Sequence, residues 1–229
     1  MREIVFDTET TGLSPAGGDR VVEIGCVEII NRFPTGKTYH CYLNPERDMP
    51  DGAFRVHGLS AEFLSKHPLF ANVADAFLEF IGDDPLVAHN ADFDMSFLNM
   101  ELARLKRPAL ASSRVVNTLL LARRKHPAGP NRLDDLCTRY KIDNTKRTLH
   151  GALLDAQLLA EVYAELVGGR QSAMTLNTAS ANLAQSRSKT GQVKTRSESL
   201  PPLLQENEAT NHADFVQGLG EKAIWRAYS

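Results

Sequence analysis

The chain has 229 residues, 42% of them hydrophobic and 24% charged, with a net charge of −2. That length and composition support a sizeable buried core, and the charge excludes a nucleic-acid binder that works by electrostatics alone, though not an enzyme that reaches phosphate through metal ions. Cys26, Cys41 and Cys137 are odd in number, far apart and form no C-x-x-C pair, so they suggest neither a disulfide framework nor a thiolate zinc site.

In chain order, the N-terminus Met1-Arg2-Glu3-Ile4-Val5-Phe6-Asp7 carries acids where an export signal needs a long apolar stretch, so a cytoplasmic protein with no membrane partner is expected. Ile4-Val5-Phe6 and Val21 to Ile30 are β-rich runs bounded by turn residues, and Lys37 to Leu43 reads as a third strand after a turn at residues 31–36. Leu86-Val87-Ala88 and Val115-Val116 are short buried-strand candidates. Helical periodicity covers Val73–Ile81, Phe93–Leu105, Asn117–Lys125, Leu133–Tyr140 and Ala152–Val167. Strands first, then alternating helices and strands, predict an α/β fold with a mixed sheet covered by helices. From Gln171 to Thr210 there is no aromatic residue, and Ser, Thr, Asn and Gln supply 18 of 40 residues. Such a stretch buries too little apolar surface to offset its ordering entropy. The chain therefore divides into a folded domain over 1–170, a flexible linker over 171–210 and a C-terminal segment over 211–229.

Acidic residues carry the chemical signal. Asp7 and Glu9 stand two apart at the end of a strand, so they share one face. Paired carboxylates repel unless a cation lies between them, and Mg2+ or Mn2+ suits oxygen-only ligands. A second cluster, His89-Asn90-Ala91-Asp92-Phe93-Asp94, follows the strand at 86–88. Phe97 and Leu98 at i+3 and i+4 put Asp94 on the inward stripe, whereas Asp92 stands at the helix start, where it caps free N–H groups. His89 and Asn90 read as loop hydrogen-bonding residues. In the third cluster, His150 and Asp155 converge only if His150 lies in the loop and Asp155 in the opening turns of the helix. Each acid alone has a bland explanation at a helix or strand end; four with inward placement do not.

The segments Phe6-Asp7-Thr8-Glu9-Thr10-Thr11-Gly12, His89 to Asp94 and Asp143 to Gln157 resemble, in this order, the three motifs of the DEDD superfamily of 3′→5′ exonucleases, in the subgroup with a histidine in motif three. Within it, the match is to the epsilon-subunit family, the proofreading exonucleases of bacterial DNA polymerase III. The resemblance spans roughly residues 2–170 and returns at Trp225-Arg226-Ala227. It implies a ribonuclease H-like fold with a five-stranded mixed sheet. It also implies two divalent metal ions, Mg2+ or Mn2+, held by Asp7, Glu9, Asp94 and Asp155, with His150 as general base. Nucleoside 5′-monophosphates would be released from a DNA 3′ end, with Asp7, Glu9 and Asp155 among the substrate contacts. Val56 and His57 match the stretch that touches the terminal nucleotide. Family members often carry an acid five residues before that histidine; here Gly52 stands there, and that contact is not carried over.

The tail bears on partners. An RNA 3′-end trimming exonuclease would use the same acids and histidine but needs no tethered Trp-containing segment, whereas a polymerase subunit does. A non-catalytic adaptor would not need the intact acid set. Phe215 and Trp225 are expected to anchor the chain to the polymerase catalytic (alpha) subunit. Gln171, Met174 and Leu176 resemble, less specifically, a short sliding-clamp motif, with plain linker as the competing reading.

Overall fold

The computed structural model describes residues 1–168 and 206–219. The chain divides into two units, 1–175 and 176–229. Five strands build the sheet of the first unit: β1 (Arg2–Thr10), β2 (Val21–Ile30), β3 (Phe33–Tyr42), β4 (Leu86–Ala88) and β5 (Val115–Asn117), in the order β3-β2-β1-β4-β5. β1, β2 and β3 pair antiparallel; β4 and β5 join β1's other side in parallel. The helices are α1 (Asp51–His57), α2 (Ala61–Leu64), α3 (Phe70–Ile81), α4 (Ala91–Arg104), α5 (Thr118–Lys125), α6 (Leu133–Tyr140) and α7 (Ala152–Leu166). This is the mixed five-stranded sheet flanked by helices that the sequence predicted.

Strand alternation sorts the core into two layers. Ile4, Phe6, Ile24 and Cys26 point to one face and pack with Phe77 of α3 and Phe97, Leu98 and Leu102 of α4. Val5, Val27, Ile29 and Val87 point to the other face and meet Ala156, Leu159, Ala160 and Tyr163 of α7. On its outer side α7 receives Ala122 of α5 and Leu136 and Cys137 of α6 through Leu158 and Val162. Ten of its fifteen residues are therefore buried, which explains a helix that is apolar nearly all round.

Several elements differ from expectation. The first hairpin turns on Asn31 and Arg32 alone, both with positive φ (52° and 73°), and β3 runs on through Pro34 and Gly36. Those two residues had read as turn, but β3 is an edge strand, where a proline costs no ladder bond and a glycine with φ of 89° fits a bulge. β1 extends to Thr10, so Asp7 and Glu9 lie within the strand rather than at its end. α1 and α2 were not anticipated; both are short, and α1 bears Val56 and His57.

In the second unit the described segment is α8 (Glu206–Gly218), which runs across residue 210, where the linker was expected to end. Phe215 on α8 is 64% exposed. Gln171, Met174, Leu176 and Trp225 lie outside the described residues.

Candidate active site

The sheet sets the location. β1 and β4 run parallel at its centre, and clefts in such sheets form beyond the carboxyl ends of the strands. An open cleft of about 1330 Å³ lies there, lined by Asp7, Glu9, His57, Asp94, His150 and Asp155 among others. Asp7 and Glu9 come from the last turns of the β1 pleat, next to a register shift between Glu9 and Thr10. Asp94 enters from the first turn of α4, directly after β4. Asp155 enters from the first turn of α7, whose N-cap is Gly151, while His150 stands in the preceding loop. The expected loop-and-helix split of His150 and Asp155 is thus the observed one, with Nδ1 of His150 3.4 Å from Asp155 Oδ2.

Donor atoms of Glu9, His150 and Asp155 lie within 4.8 Å of one another. Glu9, Asp94 and Asp155 are buried, while His150 is half exposed at the rim. Asp94 is fixed from β1: the Thr8 amide donates to its Oδ1 at 3.1 Å and the Thr8 hydroxyl at 2.7 Å. Asp92 is exposed in the first turn of α4 and takes a bond from the Asn117 side chain at 3.5 Å. The N-cap is Asn90, in the left-handed region, and forms no side-chain cap bond, so Asp92 contributes through its charge at the helix start alone. His89 bridges Thr118 and the Asn131 carbonyl at 2.9 Å each, the loop-bonding role expected of it.

Residues 4–163 match the exonuclease family RNase_T. DNA polymerase III subunit epsilon of Rickettsia felis is 49% identical over 227 residues, covering 96% of this chain and 97% of that one. The same subunit of Escherichia coli K12 is 42% identical over 237 residues, covering 99% and 98%. The chain belongs to the epsilon-subunit family of DNA polymerase III exonucleases. Among solved structures, Exonuclease X in complex with 5′-overhanging duplex DNA aligns with a TM-score of 0.56 at 25% identity, over 72% of this chain and 90% of that one. The nuclease domain of 3′hExo bound to rAMP aligns at 0.62 and 15% identity, over 72% and 91%, a likeness of fold.

The electrostatics of this epsilon-family site suit cations. Burial, then the charges of Asp94, Glu9 and Asp155, push the Asp7 carboxyl well above its ordinary range. Burial, followed by Asp155 and Glu23, raises Glu9 to about 8, and burial raises Asp94 to about 7 against the Thr8 hydrogen bonds. Asp155 differs: burial would raise it, but the two hydrogen bonds from Arg147, with the His150 ring beside it, outweigh that and hold it low. Four crowded carboxylates, most of them reluctant to ionise unaided, fit hard divalent cations as ligands.

His57 is buried at the end of α1. Its Nδ1 accepts from the Leu59 amide at 3.0 Å, and its Nε2 is buried without a hydrogen-bond partner. Burial lowers its pKa against the nearby Thr10 carbonyl and Glu23, which keeps the ring neutral. Val56 is 44% exposed beside it at the cleft.

Three residues escaped the sequence reading. Thr8 commits its amide and its hydroxyl to Asp94. Gly25 pairs with Asp7 across the sheet, and a Cβ there would lie 2.2 Å from the Leu153 amide nitrogen. Its missing side chain lets the start of α7, and hence Asp155, settle on the strand that faces Asp7. A glycine inside a strand marks such close approach and was the available signal. Arg147, three residues before His150, gave no signal, because a loop arginine is ordinarily solvated.

Proposed function

We propose that this chain removes nucleotides from DNA 3′ ends as the proofreading exonuclease of a replicative polymerase. The observation that carries this reading is the convergence of Asp7, Glu9, Asp94 and Asp155 on one cleft floor with His150 at its rim. The naming of its relatives as polymerase III subunits supports the partner.

The four acids would hold two divalent cations, Mg2+ or Mn2+. When bound, these supply Lewis acidity to the scissile phosphate and lower the pKa of the attacking water. His150, half exposed and next to Asp155, takes the proton from that water at a ring nitrogen. The new bond forms at phosphorus, and the bond to the 3′ oxygen of the penultimate nucleotide breaks, leaving a nucleoside 5′-monophosphate. Thr8 holds Asp94 in place through the reaction. The unpartnered Nε2 of His57 donates to the terminal sugar or phosphate, since a buried donor seeks an acceptor. Val56 packs on the sugar or base. The polymerase alpha subunit would be engaged by Phe215 and Trp225, and the sliding clamp by Gln171, Met174 and Leu176.

Single-stranded DNA labelled at its 3′ end, incubated with the full chain and Mn2+, is expected to yield labelled 5′-monophosphates. Asp7→Ala, Glu9→Ala or Asp155→Ala should abolish release while leaving the fold intact. An alanine variant with near-normal turnover removes that residue from the metal set. Equal rates on RNA would turn the assignment toward 3′-end trimming.

A further inference from the structure

Arg147 lies in the loop between α6 and α7, yet its side chain is only 7% exposed. Its guanidinium reaches into the carboxylate cluster. Nε donates to Asp155 Oδ1 at 2.6 Å and Nη2 to Asp155 Oδ2 at 2.7 Å, so both oxygens of that carboxylate are engaged. Nη2 also donates to His150 Nδ1 at 2.7 Å, and Nη1 holds Asp134 Oδ2 at 2.7 Å. This is a planar fork that a lysine does not reproduce. Asp155 and His150 are also two of the three residues whose donor atoms, with Glu9, close to within 4.8 Å. A divalent ion bound there takes an Asp155 oxygen as ligand. The guanidinium already uses both oxygens, and two cations crowded on one carboxylate repel each other.

We propose that Arg147 is an internal counter-ion that a divalent cation must displace from Asp155, so that metal loading also frees His150. The inference rests on the reading of Asp155 as a metal ligand. Asp134 is 54% exposed at the cleft, and the displaced guanidinium keeps it as an anchor. Arg147 therefore pivots within the site rather than leaving it. It serves as a positioning residue: it neutralises Asp155 while no ion is bound, and it keeps the His150 ring nitrogen engaged until one arrives. Metal affinity is then lower than the acids alone would set it.

Calorimetric titration of the full chain with Mn2+ tests this. Arg147→Gln is expected to bind Mn2+ roughly tenfold more tightly than the wild type, the equivalent of one charge-assisted hydrogen bond no longer competing. Arg147→Lys keeps the charge but loses the fork, and is expected to bind more tightly as well. In chelator both variants should melt below the wild type, because Asp155 is left buried without its fork. Unchanged or weaker affinity in Arg147→Gln overturns the proposal. So does Arg147→Lys binding like the wild type, since charge alone would then set the affinity. A wild-type measurement needs no variant: the Arg147 Nε–H resonance should shift on saturation with Mg2+, and an unmoved resonance overturns the displacement. A wild type with no saturable metal binding at all would instead defeat the reading of the site as a metal centre, and the proposal with it.

Discussion

At the scale of single residues, the site is an arrangement of charges that the fold tolerates only conditionally. Glu9 and Asp94 stand near 8 and 7 instead of 4.5 and 3.8, so between those limits the folded chain retains protons that the unfolded chain has released. Where the native state holds more protons, stability falls as pH rises. In chelator, the stability contributed by these two groups is fully present below their ordinary values and is lost as pH climbs through about 7 and 8. The melting temperature in chelator should therefore decline from about pH 5 to about pH 9, and less steeply in Glu9→Gln. Saturating Mg2+ should remove most of that decline. A melting temperature in chelator that is flat or rises over this range would contradict the proton count. His150 differs in being half exposed, which suits a base that exchanges protons with solvent. His150→Ala should lower turnover by about 10² while metal affinity changes little. Collapse of the affinity in a calorimetric titration would make His150 a ligand instead. Asp7, Glu9, Asp94 and Asp155 were legible in the sequence, because strand period and helix phase place a carboxylate without reference to the rest of the chain, whereas the role of His150 came from the resemblance to the family. Thr8 and Arg147 were not: their roles depend on bonds to Asp94 and Asp155 from elements 86 and 8 residues away.

At the scale of elements, the cleft exists because α7 lies directly on β1 and β2. Tyr163 of α7 is anchored to Glu3 of β1 at 2.7 Å, and the opposite end of the helix rests on Gly25 of β2. The β-run at 21–30 and the helix at 152–167 were each visible as periodicity, but their contact is a tertiary fact that no local pattern encodes. The same limit explains the hairpin. Pro34 and Gly36 signal a turn in isolation, and their tolerance in β3 follows from that strand lying at the sheet edge. Gly25 offers a sharp test of the helix seat. In Gly25→Ala the new methyl would meet the backbone of Ala152 and Leu153, at 2.3 Å and 2.2 Å, and backbone cannot rotate away as a side chain can. α7 must lift at the end that carries Asp155. The variant should lose about 1–3 kcal/mol of stability in denaturant titration, the usual cost of overpacking. It should also lose metal affinity, although it touches no ligand. A variant that keeps wild-type stability and affinity would show that the helix seat is not what places Asp155.

At the scale of the whole molecule, the side chains proposed for catalysis and those proposed for tethering stand on different stretches of chain. The sheet, the seven helices around it and every proposed catalytic side chain fall within residues 1–168. Beyond them, α8 carries Phe215, 64% exposed, and Leu219, 50% exposed, stands in the turn just past its last residue. An aromatic side chain left in water on a helix suits a partner's groove, the helix-in-groove mode of recognition. If the 37 residues between Gly168 and Glu206 serve as a flexible tether, its r.m.s. span is about 33 Å. That reach would keep a nuclease near a primer end while letting it move between surfaces of one assembly. The competing reading is that the tail completes the core of the nuclease itself. A truncation ending at Gly169 separates the two. If residues 211–229 are an anchor, the shortened chain keeps its melting temperature and its exonuclease rate on single-stranded DNA, and no longer co-purifies with the polymerase alpha subunit. Phe215→Ala in the full chain should weaken the association in the same direction with the rate unchanged, which ties the loss to that helix face rather than to the missing length. A truncated chain that melts substantially lower and still binds the polymerase would place the anchor in the nuclease domain and make the tail part of its own fold.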